Sequence, residues 1–403
     1  MNAFLHALVL LLGTASALLG VAVAVFVLQI FLSTLPRRRS LPPATAAGDA
    51  ARPTVVVLVP AHNEAAGIAR TLRTVLPQLG PGDRMLVVAD NCSDDTAAVA
   101  RDAGAAVVER FNETQRGKGF ALAFGVDAMR SAPPDLVVIL DADCDLGMGA
   151  LGALTATAAT TGRPAQALYL MTAAAGASLP RRLAEFAWRV RNLARPAGWH
   201  RIGLPCQLMG TGMAFSWDML EHAPLANASI VEDMKLGIDL AAAGRSPVFC
   251  RNALVTSTFP EAAKASVTQR TRWEHGHLEM ILREVPGMLW TGARRFDLRL
   301  IGLALDLCVP PLALLAAFLL VAFACALGLA VVSRPGLLLA ADSGLLILFT
   351  TAAIAAWAVH GRDLVRAREL LAIPMYIGRK FPIYANFLLR RQKQWVRTDR
   401  DEP

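Results

Sequence analysis

The chain has 403 residues, 55% of them apolar, a mean hydropathy of +0.44 and a net charge of +8. That length accommodates a catalytic domain of ordinary size together with membrane segments. The basic excess is local: Arg37-Arg38-Arg39, Arg294-Arg295, Arg362 to Arg368 and Arg390-Arg391 all flank apolar runs, which reads as membrane-flanking charge and excludes a nucleic-acid face.

Residues from Phe4 to Leu32 are almost uncharged and long enough to span a bilayer. A signal peptide is the rival reading. The apolar region is too long for one, no basic region precedes it, and the triple Arg follows it, so a retained anchor is predicted with its C-terminal side in the cytoplasm. Residues 1–35 are thus an N-terminal transmembrane helix and residues 36–53, rich in Ala and Pro, a linker. Residues 54–290 read as an α/β domain on the cytoplasmic side. Residues 291–403 form a C-terminal membrane region with two apolar stretches, Ile301 to Val332 and Leu337 to His360, and a basic tail. Pro310-Pro311 kinks the first stretch near its start, and Asp306 lies in its first turns. Leu370 to Leu389 mixes apolar residues with Arg379, Lys380 and Pro382 and is read as an interfacial or re-entrant segment. The predicted topology is multi-pass in the cytoplasmic (inner) membrane, N-terminus out and C-terminus in.

Within the central domain, Thr54 to Pro60 is a Val/Leu strand that ends in the polar loop Pro60-Ala61-His62-Asn63-Glu64. Ile68, Leu72, Val75 and Leu79 then recur at helical spacing. Met85 to Ala89 is a second strand, followed by Asp90, a helix over Thr96 to Ala103 and a strand over Ala105 to Glu109. Strand, helix, strand, helix with polar strand ends is the signature of a doubly wound α/β sheet. There is no Gly-x-Gly-x-x-Gly and no Gly-Lys-Ser/Thr phosphate loop, so phosphates must be held by a metal and basic side chains. Asp90 is placed for a base or ribose, or for a helix cap. Lys118, in the polar loop Asn112 to Gly119, can reach a diphosphate or be an ordinary surface Lys.

The acidic centre is Leu136 to Asp145. A wholly apolar strand stops at Asp141-Ala142-Asp143, at the strand end where open α/β sheets bind ligands. Two carboxylates at i and i+2 suit one hard divalent cation, and also a solvated acidic turn. Arg181 to Arg195 is a basic amphipathic helix with Trp188, read as lying on the membrane. Gly210-Thr211-Gly212 is a tight corner, either a bare turn or a close approach for a substrate. Glu232-Asp233 opens a helix, where acids serve as caps or as chemistry. Gln269, Arg272 and Trp273 share one helix face, which suits a phosphate and a sugar ring.

These landmarks, in this order, carry a resemblance. Pro60 to Glu64, Asp90, Asp141-Ala142-Asp143, Glu232-Asp233 and Gln269-x-x-Arg272-Trp273 resemble the motifs of the membrane-integrated family 2 glycosyltransferases, which include cellulose, hyaluronan and poly-N-acetylglucosamine synthases. The likeness covers Thr54 to Glu284 and implies an α/β GT-A-type nucleotide-sugar-binding domain flanked by transmembrane helices. It implies that Pro60, Asn63, Glu64 and Asp90 hold the nucleoside with Lys118 nearby. Asp141 and Asp143 would bind the diphosphate through Mg or Mn, with Asp143 a direct metal ligand. Asp233 would be the general base. Gln269 and Arg272 would close over the diphosphate, and Glu232, Trp273 and Gly210-Thr211-Gly212 would lie at the acceptor.

The implied reaction is inverting transfer from a nucleotide-sugar donor, with UDP as carrier, to a polysaccharide or lipid acceptor. Lipids are direct partners, and export or co-synthase subunits are further ones. The chain is shorter than the large synthases and lacks a regulatory domain, so it is not expected to form a secretion channel alone. A single-sugar transferase acting on ceramide or polyprenyl phosphate is the nearer alternative. A transporter or channel with a nucleotide-binding domain is the distant one, because three spans are few for a transporter core and the acids would have no task.

Overall fold

A computed structural model describes residues 3–36, 52–226, 231–260, 263–333 and 336–389. The triple Arg at 37–39, most of the linker and the basic tail from Arg390 lie outside these residues. In chain order the elements are α1 (Ala3–Thr34), β1 (Val55–Ala61), α2 (Ile68–Val75), β2 (Arg84–Asp90), α3 (Thr96–Asp102), β3 (Ala106–Arg110), α4 (Lys118–Met129), β4 (Leu136–Ile139) and β5 (Asp145–Leu146). There follow α5 (Ala150–Thr161), β6 (Ala165–Thr172), α6 (Leu179–Arg189), a π-turn over Val190–Ala194, α7 (Arg195–Arg201), β7 (Met213–Ser216), α8 (Trp217–Glu221), α9 (Glu232–Ala242) and β8 (Val248–Thr258). The C-terminal part is α10 (Ala263–Arg283), α11 (Val285–Arg295), α12 (Leu298–Cys308), α13 (Leu312–Ser333), α14 (Gly336–His360) and α15 (Ile373–Leu389).

The strands form one sheet in the order β3-β2-β1-β4-β7-β6-β8-β5. Strands β1 to β4 are parallel, and β7 runs antiparallel to β4. Successive residues of β1 supply opposite faces: Val55, Val57 and Val59 join the core under α2 and α5, while Val56 and Leu58 join the core under α4 and α9. Burial on both faces is why β1 and β4 read as unbroken apolar runs.

Among the described residues, three helices are long and apolar enough to cross a membrane: Leu5–Thr34, Leu312–Val332 and Gly336–His360. The expected single stretch from Ile301 to Val332 is two helices. It breaks at Val309–Pro311, where two prolines in succession remove backbone donors, and α12 becomes a separate buried helix carrying Asp306.

The membrane helices and the sheet domain share a core. Val23, Phe26 and Ile30 of α1 pack with Leu183 and Phe186 of α6 and with Leu315 and Phe349 of α13 and α14. Gly198 of α7 lies directly on the Gln29 backbone of α1, and a Cβ there would strike it. A buried polar knot reinforces this contact. Gln29 Nε2 donates to Asp306 Oδ1 (2.6 Å), Arg195 donates to Gln29 Oε1 (2.9 Å) and to Asp306 Oδ1 (2.9 Å), and Gln207 Nε2 donates to Asp306 Oδ2 (2.7 Å).

Candidate active site

The C-terminal ends of β1, β2 and β4 open onto a cavity of about 520 Å³, whose far wall is built by α6, the π-turn, α9 and α10. At the end of β1 the loop is fixed by its own backbone. Asn63 adopts φ +54, Asn63 Nδ2 donates to Ser93 Oγ (3.0 Å), Ser93 N donates back to Asn63 Oδ1 (2.7 Å), and Glu64 N donates to Thr96 Oγ1 (2.7 Å). His62 Nδ1 lies 2.7 Å from the Asp90 carbonyl, which can only accept, so that nitrogen carries the proton. Pro60, Asn63, Glu64 and Asp90 all reach the cavity. Asp90 is set by a residue that the sequence reading missed: buried Arg110 donates to Asp90 Oδ1 at 2.6 Å. The two are twenty positions apart, and only the pairing of β2 with β3 brings them together.

The acidic turn after β4 is braced on both sides. Asp141 N donates to Thr211 Oγ1 (3.0 Å), and Thr71 Oγ1 donates to the Ala142 carbonyl (2.8 Å). Ligand atoms of Asp141, Asp143 and Cys144 lie within 4.8 Å of one another. Burial pushes the Cys144 thiol well above its ordinary value, and the two acids add to this; a thiol is also a soft donor, which a hard cation does not favour. The two carboxylates remain, and an all-oxygen pair fits a hard cation such as Mg or Mn.

Lys118, at the start of α4, donates to Asp141 Oδ1 and to the Gly210 carbonyl (2.6 Å). Burial works against its charge, but Asp141 and then Glu232 outweigh it and raise its pKa. Glu232 and Asp233 stand at the start of α9. Burial, the largest effect, raises both above the ordinary carboxylate range; Asp233 adds to the rise at Glu232, and Lys118 pulls both back.

The expected turn Gly210-Thr211-Gly212 is present, with φ +87 at Gly210 and +63 at Gly212. Only Gly210 reaches the cavity, where a Cβ would lie 3.3 Å from Asp233 Oδ2 and 3.7 Å from Lys118 Nζ. Placing all three residues at the acceptor is therefore corrected. Thr211 is fully buried behind the wall bracing Asp141, and Gly212 is packed against Ala167 and Val255.

Gln269, Arg272 and Trp273 all face the cavity from α10, as their spacing predicts. Gly276 of the same helix rests on Val231, one residue before Glu232, so α10 and α9 meet at the site. Trp273 packs on Trp188, ring centres 4.9 Å apart at 41°. The sequence pattern places Trp188 on a membrane-surface helix. Its indole instead lines the cavity, donates to the Tyr169 carbonyl (3.2 Å) and meets Phe259 edge-on. Arg191, Asn192 and Tyr169 also line this wall and carried no local signal, because the π-turn that aims them is a product of packing.

Residues 53–276 match the model described as glycosyltransferase like family 2. The chain is 40% identical over 110 residues, 27% of this chain, to an uncharacterized glycosyltransferase of Mycobacterium bovis, and with the same figures to one of Mycobacterium tuberculosis H37Rv. The match spans 44% of the length of these relatives. A mannosyltransferase from Pyrobaculum calidifontis, solved in complex with GDP-Man and Mn2+, shares the fold with a TM-score of 0.55 at 18% identity, over 96% of this chain and 100% of that one.

Proposed function

This chain belongs to glycosyltransferase like family 2, and on that premise we propose that it is a membrane-integrated, inverting transferase of sugar from a nucleotide diphosphate. The observation that carries the proposal is convergence. Asp141 and Asp143, Asp233, and Gln269 with Arg272 come from three distant parts of the chain and line one cavity. The donor's nucleoside lies along Pro60 to Glu64 and Asp90, with Arg110 holding Asp90 in place. Its diphosphate lies between the two metal-binding acids and Arg272.

A bound Mg or Mn at Asp141 and Asp143 supplies charge to offset the leaving diphosphate. The rest is done by side chains. Asp233 takes the proton from the acceptor hydroxyl as that oxygen bonds to the sugar's anomeric carbon. The bond from that carbon to the diphosphate breaks, and Arg272 and Gln269 stabilise the charge left on phosphate. One base on one face is enough for inversion, so no second carboxylate is needed. Trp273 and Trp188 form an aromatic wall for the acceptor.

The membrane reading rests on the three apolar helices and on basic residues at their predicted inner ends. A lipid or membrane-held acceptor is favoured by the wall itself, because α6 belongs both to the cavity and to the core shared with α1, α13 and α14. Incubating the purified protein and Mn2+ with UDP- and GDP-sugars and membrane lipids, with products weighed by mass spectrometry, tests the reading. Absence of transfer or donor hydrolysis from every nucleotide sugar would overturn it.

A further inference from the structure

Three arginines on the cavity wall, Arg70, Arg116 and Arg191, have no part in the reaction as outlined, and Arg191 is the one beside the two indoles. Arg191 lies in the π-turn Val190–Ala194 between α6 and α7. Such turns insert an extra residue that re-aims side chains, and they recur at functional positions. This one is pinned from behind, since Trp188 Nε1 and Asn192 Nδ2 both donate to the Tyr169 carbonyl, at 3.2 and 3.1 Å. The Arg191 guanidinium faces the cavity, 5.7 Å over the Trp188 ring. Neighbouring cations are engaged: Arg189 pairs with Glu185 and Asp363, and Arg195 with Asp306. Among the described residues, Arg191 makes neither a hydrogen bond nor an ion pair.

Its surroundings say what it would bind. Burial, and then Arg195, push Arg191 below its ordinary value, and Asp233 offsets part of this. A guanidinium confined beside a second one is stabilised by an incoming anion, and its planar fork matches phosphate. Asp141 and Glu232 act on Lys118, Asp306 and Glu274 act on Arg191, and Asp233 acts on both. The direct contacts of the two cations differ. Lys118 donates to the metal-binding Asp141 and to the Gly210 carbonyl, whereas Arg191 lies over the Trp188 indole, which packs on Trp273.

We infer that the acceptor carries a phosphate group held by Arg191, with its apolar or ring portion against Trp188 and Trp273. This rests on the transferase reading and names its acceptor class. The phosphate can belong to a membrane lipid or to a water-soluble ester, and the recognition chemistry is the same.

The test is calorimetry on the full-length protein in a neutral detergent, with and without UDP and MnCl2. The probes are dodecyl phosphate against dodecanol, and glycerol 3-phosphate against glycerol. Wild type should bind a phosphate about tenfold or more tighter than its neutral counterpart, as expected for a charge-assisted contact. Arg191→Gln should abolish that preference, and Arg191→Lys, which keeps the charge and loses the fork, should fall between. Preference within the dodecyl pair alone assigns the phosphate to a lipid, and preference within both pairs shows that a soluble ester suffices. The inference fails if wild type shows no preference, if the preference survives Arg191→Gln, or if UDP displaces the phosphate and so places it in the donor site. UDP binding to the metal-loaded wild type is read separately: its loss sinks the transferase reading, whereas its persistence without a phosphate preference sinks only this inference. Unchanged UDP affinity in Arg191→Gln certifies that the variant is folded.

Discussion

Glu274 and Lys380 form an ion pair 2.6 Å long, each side chain nearly sealed from solvent, that joins α10 to α15. The next residue adds a second tie, His275 Nε2 donating to the Ile383 carbonyl at 2.9 Å. Helix α10 carries Gln269, Arg272 and Trp273, so the C-terminal helix holds the residues that would close over the diphosphate. Removing one member of a buried pair strands the other, at about 3–5 kcal/mol. Lys380→Met should therefore lower transfer tenfold or more by loosening α10. The exchange Glu274→Lys with Lys380→Glu should restore part of it. Equal loss in the single and exchanged proteins would mean that the pair does not position α10.

The metal prediction follows from the braced acidic turn. Asp143→Ala should abolish transfer and reduce UDP affinity measured with Mn2+, while UDP affinity measured in chelator stays at the wild-type value. Cys144→Ser should change the Mn2+ requirement little, because a hard cation is held by the oxygen donors of Asp141 and Asp143. Full transfer in excess chelator would remove Asp141 and Asp143 from the proposed role.

Much of this site is legible in the sequence, because each motif follows a strand or opens a helix whose period is plain. Leu136 to Leu140 has to be buried on both faces, so Asp141 has to emerge at a strand end. The helical spacing of Gln269, Arg272 and Trp273 suffices to put them on one face. What was misread depended on partners distant in sequence. The alternation of apolar and basic residues in α6 reads as a membrane-surface helix. In the structure its apolar side is covered by α1 and α14 while Trp188 turns to the cavity. Continuous hydropathy from Ile301 to Val332 hid the boundary between α12 and α13, although Pro310-Pro311 marked it. Arg110 and Arg191 are ordinary arginines until strand pairing and the π-turn aim them.

The knot of Gln29, Arg195, Gln207 and Asp306 predicts a stability effect separate from catalysis. Asp306→Ala leaves the Arg195 guanidinium and two amides without their shared acceptor, in a place where side-chain exposure is only 4% for Arg195 and 8% for Asp306. The expected cost is about 3–5 kcal/mol, seen as a lower thermal midpoint in detergent, with UDP affinity intact below the transition. Asp306→Asn, which retains one acceptor oxygen, should cost less. A midpoint unchanged in Asp306→Ala would show that α1 is held by its apolar contacts alone.

The carboxylates Glu232 and Asp233 predict opposite effects of one substitution on rate and on stability. Burial raises both, and Lys118 is the first group to pull Asp233 back. As the proposed base, Asp233 must be ionised, so transfer should rise with pH along a limb above the ordinary carboxylate value of 3.8. Lys118→Met removes the group that favours ionisation and should move that limb to higher pH. The folded protein holds protons on this pair that the unfolded chain has already released. Its stabilising contribution is therefore present below the unfolded value and lost as pH rises through the folded one. Asp233→Asn keeps the shape and deletes the charge. It should lower transfer roughly a hundredfold or more, leave UDP affinity near wild type, and raise the thermal midpoint above wild type at neutral pH while matching it in acid. Retained transfer in Asp233→Asn would place the base elsewhere. A lowered midpoint at neutral pH together with lost UDP binding would make Asp233 a structural cap of α9.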